Sequence, residues 1–167
     1  VRTCLASSAL IFAWHYGFFP LSLGLMLVLL GGLIVIYSRL LPAYSTVSAS
    51  ERWSTHIPFR LYLGWITVAT IANTTIVLYE QGWRGVPLNE PLWATIMVVV
   101  AALVGLVFAL KFGDVAYTLV LVWAFFGIYV RQIDAPLVAY TAAVLAIPLA
   151  LAAVYTIIKQ LLPGKSY

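Results

Sequence analysis

Charged side chains are the main shortage in this 167-residue sequence, because Asp, Glu, Lys and Arg together make up only 8% of it. A soluble domain carries about 25% charged residues, so this chain lacks the side chains that a water-facing surface needs. Hydrophobic residues make up 64% of the chain, and the mean hydropathy is +1.06. Lipid must therefore be the main solvent, which excludes a soluble enzyme, a disordered tail and a small secreted domain.

Cysteine and histidine are also scarce. The single cysteine, Cys4, cannot form an internal disulfide, and no Cys/His cluster has the spacing of a metal site. His15 could ligate the metal of a tetrapyrrole, but a packed or interfacial neutral imidazole is the favoured interpretation. His56 is predicted to lie in a loop. The carboxylates all fall in loops or at the ends of apolar segments, so the sequence indicates no catalytic residues, no metal site and no enzyme.

What the sequence does contain is six long apolar segments. A helix that crosses about 30 Å of hydrocarbon needs roughly 20 apolar residues. The segments are continuously apolar and do not alternate as the strands of a membrane β-barrel do, so they predict an all-α, multi-pass bundle of about six spans. The predicted spans are Thr3–Phe19, Leu21–Leu41, Ile57–Tyr79, Leu88–Leu110, Val115–Val130 and Ala135–Leu162. The Ser/Thr-rich stretch Tyr44–Thr55 is predicted to be the longest polar loop.

The basic residues predict an orientation. Six spans place both ends of the chain on one side, and seven of the nine basic residues fall there: Arg2, Arg39, Arg52, Arg60, Lys111, Lys159 and Lys165. Only Arg84 and Arg131 fall on the other side. Because Lys and Arg are enriched in cytoplasmic loops, we expect both ends to be cytoplasmic, in a bacterial cell membrane or, alternatively, an organellar one. Basic residues this scattered form no nucleic-acid patch.

Charged residues at the span ends have structural interpretations. Asp114, Asp134 and Glu90 lie where predicted helices begin, and they are expected to cap those helices or to interact with the helix dipole. Arg39 and Arg60 flank the long loop and are expected to extend towards lipid headgroups.

The third span carries the most informative pattern. Trp65, Ala69 and Asn73 recur at four-residue spacing and so lie on one face of a helix. Asn73 lies near the middle of the span, where its amide should face protein, a ligand or water rather than lipid. The indole of Trp65, the small side chain of Ala69 and the amide of Asn73 would together suit a flat apolar ligand with a polar edge. Helix packing is the alternative interpretation, and spacing alone favours it.

This span resembles the last helix of the tryptophan-rich sensory protein, or translocator protein (TspO/MBR), family. The family pattern is a proline, an aromatic residue and then W-x-x-x-A-T-x-x-N, matched here by Pro58, Phe59, Trp65, Ala69, Thr70 and Asn73. Upstream, Phe12-Ala13-Trp14 followed by Phe18-Phe19 looks like the third family helix and the turn after it. The resemblance covers roughly residues 5–79, and the first two family helices are absent from this sequence.

The resemblance implies a bundle that binds porphyrins, sterols or similar hydrophobic ligands in a regulatory or sensory role, and that is not an enzyme. It implies that Trp65, Ala69 and Asn73 face the ligand, with Trp14 as a further candidate. The expected cofactor is a bound porphyrin, another pigment or a lipid, if there is one. Residues 1–80 are expected to form the third to fifth family helices, and residues 81–167 a three-helix membrane extension of the long bacterial form.

A second hypothesis is a structural accessory subunit of a larger membrane complex, photosynthetic or respiratory. Ala101, Gly105 and Ala109 form a small-residue stripe that predicts a close helix contact. The accessory-subunit hypothesis takes this stripe as exposed and open to a neighbouring subunit. Trp123, near the middle of the fifth span, is predicted to serve packing. The expected partners are thus the lipid bilayer, a hydrophobic small molecule, and subunits of a complex or a second copy of the chain.

Overall fold

Helices account for the regular structure throughout the residues that the computed structural model describes, which are 2–42, 47–83 and 89–162. In chain order the helices are α1 (Arg2–His15), α2 (Phe19–Leu40), α3 (Ala49–Glu51), α4 (Ile57–Glu80), α5 (Glu90–Phe112), α6 (Val115–Arg131) and α7 (Pro136–Leu161). The predicted all-α multi-pass bundle is confirmed.

Four helical stretches of the described chain are long and apolar enough to cross a membrane: Phe19–Leu40, Ala49–Glu80, Glu90–Phe112 and Pro136–Leu161. The helix α6 is apolar but shorter, with 17 residues, and α1 has 14. The six predicted spans correspond to α1, α2, α4, α5, α6 and α7. Their ends fall close to the predicted ones because Gly, Pro and capping residues mark them in the sequence.

The link between α2 and α4 differs from the prediction. A loop was expected for Tyr44–Thr55, but the chain is helical from Ala49 onwards, and residues 44–46 lie outside the described ranges. The Ser48 hydroxyl accepts a hydrogen bond from the Glu51 amide at 3.2 Å and caps α3. A π-helical turn, Arg52–His56, then continues α3 directly into α4.

The chain forms two compact units, residues 1–89 and residues 90–167. In the N-terminal unit, α1 and α4 both pack against α2. The buried residues of α2 recur every three or four positions, as expected for one helix face: Ser22, Met26, Leu29, Leu33 and Tyr37. At one end of this face Ser22 meets Asn73, and at the other end Tyr37 meets Arg60. These two contacts show that α2 and α4 are antiparallel.

In the C-terminal unit, α7 packs against both α5 and α6. Ala101, Gly105 and Ala109 are all buried on α5. A Cβ atom on Gly105 would lie only 2.6 Å from Leu121 Cδ2 and 2.8 Å from Leu149 Cδ2. The stripe is therefore a close helix contact, as predicted. It is not exposed, so the accessory-subunit hypothesis was wrong to treat it as a surface for a neighbouring subunit.

The predicted helix caps divide into two outcomes. Asp114 is buried before α6, and its Oδ1 atom accepts a hydrogen bond from the Tyr117 amide at 3.0 Å, which confirms the cap. Glu90 lies in the first turn of α5, where a negative charge interacts favourably with the helix dipole. Asp134 does not cap α7, because Ala135 is in the N-cap position and no side chain caps the helix there. The expected interaction of Asp134 with the helix dipole stays a prediction.

Candidate functional site

Asn73 lies in the interface between α4 and α2, where it is only 2% exposed. Its Nδ2 atom donates a hydrogen bond to the Ser22 hydroxyl at 3.1 Å, and it lies 3.6 Å from Met26 Sδ. The Ser22 hydroxyl in turn donates to the Phe19 carbonyl at 2.7 Å. The Asn73 amide was expected to face protein, a ligand or water. It faces protein, and its hydrogen bond to Ser22 joins α4 to α2.

Trp65 has a different environment, because 53% of its surface is exposed. Ala69, one turn further along α4, is half-buried. The hydroxyls of the half-buried threonines of α4 donate hydrogen bonds to carbonyls of their own helix, so they add little polarity to its surface; these residues are Thr67, Thr74 and Thr75. Trp65 and Ala69 therefore form an apolar surface in which the Trp65 ring is exposed.

Trp14, near the end of α1, is also exposed, and its ring packs edge-on against Phe19 at a centroid distance of 5.1 Å. The contact spans the turn at Gly17, whose positive φ of 72° suits a residue without a Cβ atom. The neighbouring His15 is exposed and its ring packs edge-on against Tyr16. His15 is thus not packed in the core.

A hydrogen bond of 2.9 Å between Ser7 Oγ and the Tyr62 hydroxyl joins α1 directly to α4. Because α1 packs against α2 across the short turn at Gly17, α1 is antiparallel to α2, as α4 is. The helices α1 and α4 therefore run in the same direction from this bond. Ala69 lies two turns beyond Tyr62 on α4, and Trp14 lies two turns beyond Ser7 on α1. The two residues are therefore at a similar depth, and Ala69 is on the side of α4 that Tyr62 turns towards α1.

The four sequence-predicted site residues therefore divide into two settings. The Asn73 amide is held between α4 and α2, whereas the side chains of Trp65 and Trp14 present exposed surface. Trp65 and Asn73 were expected to line one ligand surface together. In the structure the Trp65 indole is exposed, whereas the Asn73 amide is buried in a helix contact. Trp123 is 68% exposed on α6, so the prediction that it serves packing was wrong.

Sequence reasoning missed a group of basic residues at the start of α4. His56, expected in a loop, is 1% exposed inside the helical link, and Arg60, expected to extend towards headgroups, is 5% exposed. The Arg60 guanidinium lies 5.8 Å from the centroid of the Tyr37 ring on α2, within cation–π range. The available signal was the four-residue spacing of Arg52, His56 and Arg60, which predicts one helix face.

The described part of the chain brings no three His, Cys, Asp or Glu side chains together in an arrangement that could hold a metal ion. The apolar surfaces of α4 and α6 and the isolated polar contacts of the core give it the chemistry of a lipid-solvated bundle.

The helices and their composition define the chain as a multi-pass integral membrane protein in a lipid environment. A family model described as TSPO-like protein matches residues 1–155, and the chain belongs to this family. The match confirms the resemblance drawn from residues 5–79 and extends it through α5, α6 and most of α7. No curated protein and no solved structure matches the chain.

Proposed function

We propose that this protein binds a flat, hydrophobic molecule of the porphyrin or sterol type on the side of α4 that faces α1, in a sensory or regulatory role rather than a catalytic one. One observation carries the proposal. Trp65 exposes about half of its surface beside the small residue Ala69, on the part of α4 that Tyr62 joins to α1.

The chemistry of this surface suits a planar apolar guest. A ring system stacked on the exposed Trp65 indole would gain about 0.5–1.5 kcal/mol beyond simple area burial. Ala69 leaves space one turn away, where a larger side chain would occupy the position of the guest. We propose Trp14, which lies at a similar depth on α1, as the residue on the opposite side of the ligand.

Asn73 takes an indirect part in this proposal. Its hydrogen bond to Ser22 fixes the rotation of α4 against α2, and that rotation directs Trp65 outwards. Membership of the TSPO-like family supports the proposed ligand class. The expectation that Trp65 and Ala69 face the ligand comes from the resemblance of the α4 sequence to the TspO/MBR pattern, and it favours the same surface.

The proposal is tested by a binding titration with protoporphyrin, on purified protein in lipid nanodiscs, followed by quenching of tryptophan fluorescence. Trp65→Phe and Trp123→Phe are matched variants, because both indoles are more than half exposed and each variant keeps an aromatic ring. We expect Trp65→Phe to weaken binding about fivefold, which corresponds to roughly 1 kcal/mol of lost stacking. Trp123→Phe should bind as the unmodified protein does.

Equal weakening in both variants would mean that porphyrin simply partitions into the bilayer around the protein. Unchanged binding in Trp65→Phe would also overturn the proposal.

A further inference from the structure

A second surface with its own chemistry lies at the opposite end of the α2–α4 pair from Asn73. It consists of Tyr37, Arg52, His56 and Arg60, here called the basic cluster. We propose that the basic cluster binds the phosphate of an anionic lipid headgroup. This inference does not depend on the planar-ligand site.

The basic residues lie on one face of the continuous helix 49–80. His56 and Arg60 are buried and Arg52 is half-buried. The polar atoms Arg52 Nε, His56 Nδ1 and the Tyr37 hydroxyl oxygen are themselves enclosed by protein. Arg52 is therefore the member of the basic cluster whose side chain keeps exposed surface for a phosphate, while His56 and Arg60 lie within the protein.

The π-helical turn sets the register of this face. The Ile57 amide donates to the Arg52 carbonyl, five residues back, where an α-helix would bond four residues back. Arg52, His56 and Arg60 follow one another at four-residue spacing through this wider turn and the first turn of α4, so they share one side of the helix. Single π-turns occur often at functional sites, because the inserted residue costs regular hydrogen bonding and persists where it positions a side chain.

The charges at this end of the N-terminal unit favour an anion. Arg39, Arg52 and Arg60 contribute three positive charges, and Glu51 is the one carboxylate among the described residues here. A planar guanidinium matches the oxygens of a phosphate, with which it forms paired, charge-assisted hydrogen bonds.

The position of the basic cluster at the end of a membrane span favours a lipid phosphate over a free phosphate ion. Trp53, in the same π-helical turn, is exposed, and exposed indoles at span ends favour the headgroup zone. The basic cluster follows directly at the start of the span, so its level is that of the lipid phosphates. Basic residues close to a span end attract anionic lipids in this way.

The experiment measures lipid binding to purified protein in neutral detergent, as the rise in melting temperature on titration with short-chain phosphatidylglycerol. The test variant is Arg52→Gln, because Arg52 is half-buried and its loss is the least disruptive to folding. The control is Arg39→Gln, the same change of charge at the same end of the unit on an exposed side chain. We expect Arg52→Gln to weaken binding about tenfold, from the loss of one charge-assisted hydrogen bond, and Arg39→Gln to weaken it less than twofold.

Two further arms separate the sources of the phosphate group. Short-chain phosphatidylcholine, which carries no net charge, should raise the melting temperature less than phosphatidylglycerol at equal concentration. Inorganic phosphate at the same concentration should give no shift, because it lacks the acyl chains that bring the headgroup to the helix interface. An equal shift with free phosphate would assign the cluster to a soluble anion and overturn the lipid proposal.

A third variant, Arg60→Lys, keeps the charge but removes the planar fork and should also weaken phosphatidylglycerol binding. If Arg60→Lys does not fold, Arg52→Gln decides the question alone. Equal losses in Arg52→Gln and Arg39→Gln would show general attraction to the basic end of the unit and would overturn a defined site.

Discussion

The Asn73 amide nitrogen lies 3.1 Å from the Ser22 hydroxyl oxygen, and this hydrogen bond joins two helices across 51 positions of sequence. Both partners of this contact are buried. The rest of the buried α2 face consists mainly of Met26, Leu29 and Leu33. Apolar side chains bury most of this interface, and the hydrogen bond favours the rotation of α4 in which Asn73 faces Ser22.

Replacement of Asn73 by Ala should lower the free energy of unfolding by about 1 kcal/mol, because hydrogen bonds between membrane helices are worth ~0.6 kcal/mol on average and the change also removes packing. Ser22→Ala should cost about the same. The double variant should cost less than the sum of the two, since the first change already breaks the shared bond. Denaturant unfolding in detergent, followed by circular dichroism, measures all three; strictly additive losses would contradict the coupling.

Gly105→Ala should destabilise the C-terminal unit by about 1–3 kcal/mol through overpacking. The new Cβ atom would lie 2.6 Å and 2.8 Å from methyl groups of Leu121 and Leu149, and both leucines are fully buried and have little room to move. Thermal unfolding measures the loss. Gly127→Ala is the matched control, because a Cβ atom there meets nothing within 4 Å. It should be neutral or slightly stabilising, as alanine favours helices, and equal losses would mean that the contact at Gly105 is not tight.

Asp114→Ala should lower stability by about 1–2 kcal/mol, because it removes the side-chain acceptor for the Tyr117 amide at the start of α6. Asp114→Asn keeps an oxygen acceptor and should lose less. Asp134→Ala is the comparison for an exposed aspartate just before α7, where Ala135 takes the N-cap position, and it should change the melting temperature little. A loss at Asp134 equal to that at Asp114 would contradict the assignment of the cap.

Local sequence patterns predicted the helices of this chain better than they predicted contacts between residues that are distant in sequence. Helix positions were predictable because the apolar runs are long and their ends carry local marks such as Gly17, Gly113 and Asp114. The helical link at 49–56 was missed, although Ser48 and Glu51 have the spacing of a capping box, because polar composition suggested a loop.

Contacts between helices were less predictable. The mid-span position of Asn73 indicated a buried amide, but its partner could have been a ligand or a residue of any helix, and Ser22 is distant in sequence. Burial of Arg60 against Tyr37 likewise depends on how α2 and α4 pair. The exposure of Trp65 depends on what lies beside α4, which spacing within one helix does not determine.

Ala69→Leu should weaken porphyrin binding about tenfold, because the larger side chain occupies the space that the planar ligand is proposed to fill. Ala72→Leu is the matched control on the same helix, since Ala72 is exposed. It should leave binding unchanged. The fluorescence titration described above measures both variants, and melting temperatures verify that each is folded. Equal effects of the two changes would argue against a site beside Ala69.

The most direct test of the binding surface follows the six tryptophans separately. Protein labelled with 15N at the indole nitrogens should give one N–H signal for each tryptophan, and protoporphyrin is added stepwise. We predict that the Trp65 signal shifts and saturates at one ligand per chain, while the Trp123 signal, also from an exposed indole, stays in place. A Trp65 signal that does not move, or Trp65 and Trp123 signals that shift together without saturation, would contradict a ligand site on α4.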